Sequence, residues 1–560
     1  MKSGNSSRRE FLLGAGVAIS GAALCPSILA EASQSAVAKA AASKRMRGLM
    51  VDAARVPETL DYYRRVIEFC ADWGMNTLHL RLADDQGTAL RFASVPGLVT
   101  HKNAFTPEEL RQLVEFAHRR GVDLLPELES FGHTGFITRS STYAHLLDRD
   151  ANGSAEFTGV IPVHPETLEL FDKLYREIAA IFPSPYLHGG CDEVNWGGSD
   201  LSRKALLAES RAQIWGEYLN ALNQSAQKLG KQFIVWGDFV VHTEPEILKQ
   251  LSKDIVIMDW NYSDTSSAKV QESLAAIRAN GSRAIGAPAL INYKWGPRAG
   301  TQQLRNIDAF ADAYFGTDDP GSLGVSLTNW DPCRYLQNSI WDGFAYASVA
   351  FNQGTEVAQT TAFRRFVERH YRAEWNEDWS EAFRIIYDAA PSVKDSASHW
   401  MSPVLPVPWS DDAQLAELLK DKSPRPNPFT HLCSLLVQVE PFVRKNLADF
   451  RAFQLSAEYL EKMFWRQSVV VEQAGKPLQR DSAALLIQSI AERDRALAEV
   501  LSKDWDSGRF PDAAAKHEPV TDLEPKDQLV FQWQRAADYS ASLAAYPDRF
   551  FQLLITALHG

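Results

Sequence analysis

From Arg47 to about Asn352, short apolar, β-rich runs alternate with stretches whose apolar positions recur at helical spacing. Eight runs of the first kind stand out: Gly48–Asp52, Thr77–Leu82, Asp123–Glu127, Tyr186–Gly190, Phe233–Trp236, Ile255–Asp259, Arg283–Ala287 and Gly324–Thr328. Helical periodicity fills the gaps, for example over Pro57–Trp73, Thr106–Arg120, Pro165–Ile181 and Leu201–Leu229. Strand and helix in alternation are the pattern of a parallel sheet covered by helices. Eight such units in about 300 residues match a (β/α)8 TIM barrel, which sets the expected barrel at residues 47–354. A doubly wound open sheet is the structural alternative.

Beyond Gly354 the pattern changes. Only Gly475, Gly508 and Gly560 remain of the 32 glycines, strand-like runs nearly vanish, and helical spacing dominates over Leu447–Trp465 and Ala483–Leu501. Proline-rich stretches around Pro403–Pro408 and Pro424–Pro428 read as loops. Residues 355–560 are therefore expected to form a C-terminal α-helical domain, either a homodimer interface or a wall of the active-site cleft.

Composition places the chain among globular proteins, with 45% hydrophobic and 23% charged residues. At the other end, Ser7-Arg8-Arg9-Glu10-Phe11-Leu12-Leu13 leads into a charge-free, Gly- and Ala-rich stretch reaching Ala30. This resembles a twin-arginine export signal over residues 1–32, followed by a linker to residue 46. A periplasmic or secreted protein is expected, with a membrane anchor as the alternative and no membrane partner after cleavage. The net charge of −12 argues against nucleic acid or anionic lipid as partners. Cys70, Cys191, Cys333 and Cys433 lie far apart without a CxxC spacing, so neither a zinc site nor a disulfide framework is expected, and no cofactor or metal is called for.

In a barrel of this kind chemistry sits at the C-terminal ends of the strands. The fourth run ends His188-Gly189-Gly190-Cys191-Asp192-Glu193. An acidic doublet alone means little, because Asp84-Asp85, Glu108-Glu109 and Asp318-Asp319 occur as well. Consecutive strand residues point to opposite faces, so Asp192 and Glu193 can both turn inward only where the strand has ceased to be regular.

These residues resemble the H-x-G-x-D-E signature of glycoside hydrolase family 20, the β-N-acetylhexosaminidases. The likeness continues through Arg47-Gly48-Leu49-Met50-Val51-Asp52 with Arg55, through Asn76–Gly87, and through Leu125-Pro126-Glu127-Leu128-Glu129-Ser130-Phe131-Gly132-His133, where Glu129 replaces the family's Asp. Cys191 and Phe131-Gly132-His133 resemble the hexosaminidase D-like branch. The resemblance implies an exo-acting, retaining hydrolase of terminal β-linked GlcNAc or GalNAc that uses the substrate's own acetamido group as nucleophile, an exception to the two-carboxylate scheme. It implies Glu193 as acid and base, Asp192 as partner of the acetamido N–H, and Asp84 with His133 as a supporting dyad. It also implies sugar contacts from Arg55, an aromatic cage of Trp236, Trp260 and Trp330, and Tyr293 as donor to the acetamido oxygen. Two carboxylates this close should titrate apart, one protonated and one ionised. Asp331-Pro332 stands where the family places a Glu two residues after the tryptophan, so Asp331 is the candidate for the distal hydroxyls. Two rivals remain: a metal-dependent barrel hydrolase using His79, His133, His188, Asp192 and Glu193, and a non-catalytic sugar-binding barrel.

Overall fold

The computed structural model describes residues 45–153, 159–292, 297–389, 408–420, 427–474, 479–510 and 529–559. The expected export signal and Tyr293 lie outside them. Eight parallel strands follow one another around a closed sheet: β1 (Met46–Asp52), β2 (Thr77–Arg81), β3 (Asp123–Glu127), β4 (Tyr186–His188), β5 (Gln232–Trp236), β6 (Val256–Asp259), β7 (Arg283–Gly286) and β8 (Ser322–Asn329). The seam closes where Met46–Leu49 pair with Gly324–Leu327. Each strand lies within two residues of the run read from the sequence.

Seven helices lie on the crossovers and an eighth follows β8: α1 (Leu60–Trp73), α2 (Pro107–His118), α3 (Pro165–Ile181), α4 (Arg211–Lys228), α5 (Glu246–Gln250), α6 (Ser267–Ala279), α7 (Thr301–Phe315) and, after β8, α8 (Trp341–Gln353). Local chemistry sets their starts. Thr59 accepts from the Tyr62 N–H, so α1 begins three residues later than the Pro57 expected from periodicity. Pro107 follows Thr106, which forms a capping box with Glu109. The run read as one helix over Leu201–Leu229 is two, Asp200–Leu206 and α4, because Ser210 and Gln213 form a second capping box that restarts the helix.

Alternate strand residues face two cores. Leu49, Leu78, Leu80, Leu124, Leu187, Phe233, Val235, Ile257 and Leu327 pack outward against the helices. The inward set is unevenly polar. Ile234, Trp236, Val256, Met258 and Ile285 of β5–β7 join Met46, Met50 and Leu125 in an apolar plug, whereas the buried polar residues Asp52, His79, Arg81, Glu127 and His188 all come from β1–β4. These polar residues belong to the strands whose ends carry the acids.

The C-terminal helices are α9 (Thr355–Phe366), α10 (Glu377–Ala389), α11 (Asp412–Lys420), α12 (Phe429–Val439), α13 (Leu447–Ala474), α14 (Arg480–Gly508), α15 (Leu529–Ala545) and α16 (Pro547–His559). Phe366, Trp379, Phe383, Phe450 and Phe453 join the same apolar core as Phe69, Trp341 and Phe344 of the barrel's outer layer. A smaller second core gathers Trp409, Leu415, Val470, Ile487, Leu543 and Phe550. Among the described residues no helix is long and apolar enough to cross a membrane.

Candidate active site

β4 stops being a strand after His188, and the chain then turns through conformations that side chains rarely adopt. Cys191 has φ 75° and Glu193 φ 47°, Gly190 between strand and acids has φ 64°, and the facing loops hold His133 at φ 49° and Asp331 at φ 51°. Non-glycine residues in the left-handed region cost about 1–3 kcal/mol each and persist only where the surroundings over-determine them. Four together at one barrel mouth mark a site whose geometry outranks local comfort. The contacts are close: a Cβ on Gly190 would fall 1.9 Å from Glu129 Oε2, and one on Gly132 2.0 Å from the Asp192 carbonyl oxygen.

His133 is the hub. Its Nε2 lies 3.1 Å from Glu193 Oε2 and 4.0 Å from Asp192 Oδ2, while Nδ1 faces Asp85 Oδ2 at 3.2 Å and Asp84 Oδ1 at 3.4 Å. Burial would keep the ring neutral, but the charges of Asp84 and Asp192 and the hydrogen bonds to Asp84 and Asp85 overcome it and raise its pKa well above the ordinary value. The ring is therefore an imidazolium. Burial pushes Glu193 up, yet the His133 hydrogen bond and charge, with Arg55 and Arg81 behind, bring it below its ordinary value. Asp192 goes the other way: burial dominates, Glu193 adds repulsion, and its carboxyl titrates above the usual range despite His133 and Arg81. The two acids do titrate apart. The directions run against the order that an acid at Glu193 requires, since Asp192 is the one shifted up and Glu193 the one shifted down.

Two guanidiniums anchor the framework. Buried Arg81 pairs with Asp84 at 2.6 Å and Glu129 at 2.6 Å. Arg55, at the rim, reaches Asp52 at 3.0 Å, Asp84 at 3.3 Å and Asp331 at 3.3 Å. The Asp52 pairing and an open rim position therefore coexist. Glu129 completes the frame by accepting from the Cys191 N–H at 3.0 Å. Behind Glu193, its N–H donates to Asp238 Oδ2 at 2.9 Å. Burial, with repulsion from Asp192, pushes the Asp238 carboxyl up to about 8.

The aromatic residues fall into two roles. Trp236 and Trp330, with ring centroids 5.7 Å apart, are almost fully buried and cap the apolar plug. Both guanidiniums cover Trp330, Arg81 at 4.8 Å and Arg55 at 5.3 Å from its ring centre. Trp260 is partly exposed and stacks on Tyr262 at 4.8 Å, and Tyr262 Oη accepts from Trp330 Nε1 at 2.7 Å. Asp331 is buried against Arg55. Arg81 and Glu129 were visible inside the recognised motifs without an assigned task. Asp85 stood in an acidic doublet that looked ordinary. Asp238 and Tyr262, each two residues past a strand-end tryptophan, carried only that spacing as a signal.

His79, Glu127 and His188 also bring potential ligand atoms within 4.8 Å of one another inside the barrel. Their chemistry does not suit an ion. Burial pushes His188 down to about 3, so its ring is neutral, and Nδ1 accepts from the Gly190 N–H at 2.9 Å. The proton then sits on Nε2 and no lone pair is left to ligate. Glu127 Oε2 faces His79 Nε2 at 2.8 Å, and Oε1 accepts from the Trp236 indole N–H at 2.8 Å. The trio fixes the tryptophan.

Residues 45–301, which hold β1–β7 and every residue around His133, match the model of the glycosyl hydrolase family 20 catalytic domain. This part of the chain, a little under half of its length, is similar to that family's catalytic domain. The chain is 29% identical over 257 residues to a β-hexosaminidase of Vibrio furnissii, covering 40% of this chain and 41% of that one. It is 29% identical over 183 residues to a β-hexosaminidase of Akkermansia muciniphila, covering 28% and 37%. The chain thus spans about two fifths of the length of these relatives. A solved family 20 exo-β-N-acetylglucosaminidase of Vibrio harveyi is similar at 23% identity over 56% of this chain and 54% of that one, with a TM-score of 0.42. The family match ends before β8, so Trp330 and Asp331 lie outside it, as does the helical region.

Proposed function

We propose that this protein is an exported, exo-acting, retaining β-N-acetylhexosaminidase that hydrolyses terminal β-linked GlcNAc or GalNAc with the substrate's acetamido group as nucleophile. The observation that carries the reading is the trio around His133: oxygens of Asp192 and Glu193 and a nitrogen of His133 lie within 4.8 Å of one another at the barrel mouth. Inverting glycosidases hold their carboxyls about 6.5–9.5 Å apart to admit a water, and this spacing is too short for that.

The opposed directions in which the two carboxyls shift support an account of how substrate readies the site. When the acetamido N–H donates to Asp192, it stabilises the ionised carboxylate. Glu193 must then carry the proton for the acid step, and His133 Nε2, 3.1 Å away, is placed to share it. Glu193 next gives that proton to the glycosidic oxygen as the C1–O bond breaks and the acetamido oxygen bonds to C1, forming an oxazolinium ion. Asp192, ionised, stabilises the positive charge. Glu193 finally takes a proton from water as its oxygen attacks C1 and the ring opens, which restores the acetamide and retains configuration. Asp84 and Asp85 hold the imidazolium in register throughout, and Trp260, Tyr262, Trp330 and Arg55 offer the sugar an aromatic and cationic wall.

A panel of aryl β-glycosides tests this. Hydrolysis of N-acetylglucosaminides and N-acetylgalactosaminides is expected, with β-glucosides slower by at least about a thousandfold, since removing a reacting group costs that much or more. Glu193→Gln should abolish turnover of alkyl glycosides while a thiazoline mimic of the oxazolinium still binds. Equal rates on glucosides would exclude the acetamido nucleophile.

A further inference from the structure

Arg509 follows the last residue of α14, far in sequence from the barrel, yet its side chain is buried at the barrel mouth. Its Nε donates to Glu58 Oε1 at 2.8 Å. Its Nη2 donates to the carbonyl oxygens of Pro332 at 2.6 Å and Tyr335 at 3.4 Å. The other oxygen of Glu58 accepts from Gln337 Nε2 at 2.8 Å. A Cβ on Gly508 would come 2.7 Å from Gln337 Oε1, so the helix end presses directly on this loop.

The three partners of Arg509 belong to the two loops at the barrel seam. Glu58 is three residues beyond Arg55 on the loop after β1, and Pro332 directly follows Asp331 on the loop after β8. Those loops meet through the Arg55–Asp331 ion pair at 3.3 Å and through Arg55 lying over the Trp330 ring. Asp331 holds an unfavourable left-handed backbone conformation, which needs outside support. A guanidinium can supply it, because its planar fork binds a carboxylate and carbonyl oxygens at once, which an ammonium cannot match in geometry.

We infer that Arg509 is a positioning residue through which the C-terminal helical region staples the β1 and β8 loops and so sets the sugar-binding wall of Arg55, Trp330 and Asp331. The inference rests on the hexosaminidase reading for its kinetic consequence, not for the staple itself. It gives the helical region a task at the site.

The test uses the full chain with Arg509→Met, Arg509→Lys and Glu58→Gln, each checked for fold by circular dichroism. In the ligand-free protein, amide exchange over residues 53–60 and 330–338 should speed up in Arg509→Met, with the β3–β6 strands unchanged. Arg509→Lys should restore protection of 53–60, where a charge suffices, but not of 330–338. On an aryl N-acetylglucosaminide, Arg509→Met should raise KM about tenfold or more with kcat nearly kept, the signature of lost uniform binding. Should Arg509→Met fail to fold, Glu58→Gln, which removes the charge partner without loss of volume, is expected to loosen 53–60. Unchanged loop exchange in a folded variant, or exchange accelerated equally everywhere, overturns the staple. A wild-type protein inactive on N-acetylhexosaminides overturns the functional reading instead, while the exchange measurements still decide the staple.

Discussion

Asp238 concentrates the electrostatic tension of the site in one side chain. It sits behind Glu193, receives that residue's N–H, and shares its surroundings with Asp192, so its carboxyl stays neutral up to about pH 8. A carboxyl whose native value lies above its ordinary 3.8 binds its proton more tightly folded than unfolded. Its contribution to stability is complete below pH 3.8, erodes as pH rises, and is lost once pH passes about 8. The slope is at most about 1.4 kcal/mol per pH unit. Asn copies the neutral form and can accept the same N–H. Melting temperatures of wild type and Asp238→Asn should therefore nearly coincide at pH 4, with the variant increasingly the more stable up to pH 8. A constant difference across that range would show that Asp238 is ionised in the fold. None of this was legible in the sequence, where Asp238 is one acid among seventy Asp and Glu. Its value comes from the neighbours that the barrel assembles around it.

At the scale of elements, the site is made where the loops after β3 and β4 interlock, each using a glycine as the socket for the other. Gly132 leaves room for the Asp192 carbonyl and Gly190 for the Glu129 carboxyl. The two glycines differ in kind. Gly190 combines tight space with positive φ, whereas Gly132 lacks the positive φ and is constrained by contact alone. Gly132→Ala should therefore act purely by displacing Asp192, with an overpacking cost of about 1–3 kcal/mol in stability and a loss in kcat/KM larger than that loss of stability explains. Thermal melts beside single-turnover rates check this, and unchanged turnover would mean that Asp192 can shift without consequence. The strands themselves were readable because parallel barrel strands bury both faces and so appear as short apolar runs. The split of Leu201–Leu229 was not, since the apolar spacing continues across it while Ser210 and Gln213 break the hydrogen-bond ladder. The left-handed turns at Cys191 and Glu193 were foreseeable only as an irregularity, because tertiary contacts force them on residues with no preference for that conformation.

Outside the barrel's inner plug, the described residues gather into two cores, one large and one small, and three long helices bridge them. The first half of α13 brings Phe450, Phe453 and Tyr459 to the core shared with the barrel, and Val470 near its end joins the smaller one. α14 runs oppositely, with Ile487 and Ile490 in the small core and Leu501 and Trp505 in the large. α15 follows α13, with Trp533 in the large core and Leu543 in the small. Arg466 of α13 and Asp494 of α14 meet between the cores as a buried pair at 2.9 Å, with the guanidinium 3.9 Å over the Trp409 ring. Removing one member of a buried pair strands the other charge and costs about 3–5 kcal/mol. The penalty at Arg466→Met should fall on the part with least other support, which is the small core. Amide exchange is then expected to accelerate over residues 409–419, 483–492 and 540–554. Protection of the barrel strands and of the Arg509 end of α14 should persist, because Trp505 and the seam loops hold that end to the barrel. Distal helices that loosen while the seam stays protected would mean that α14 carries support toward the site without transmitting disorder from its far end. Equal acceleration in β1–β8 would instead make the two cores one cooperative unit.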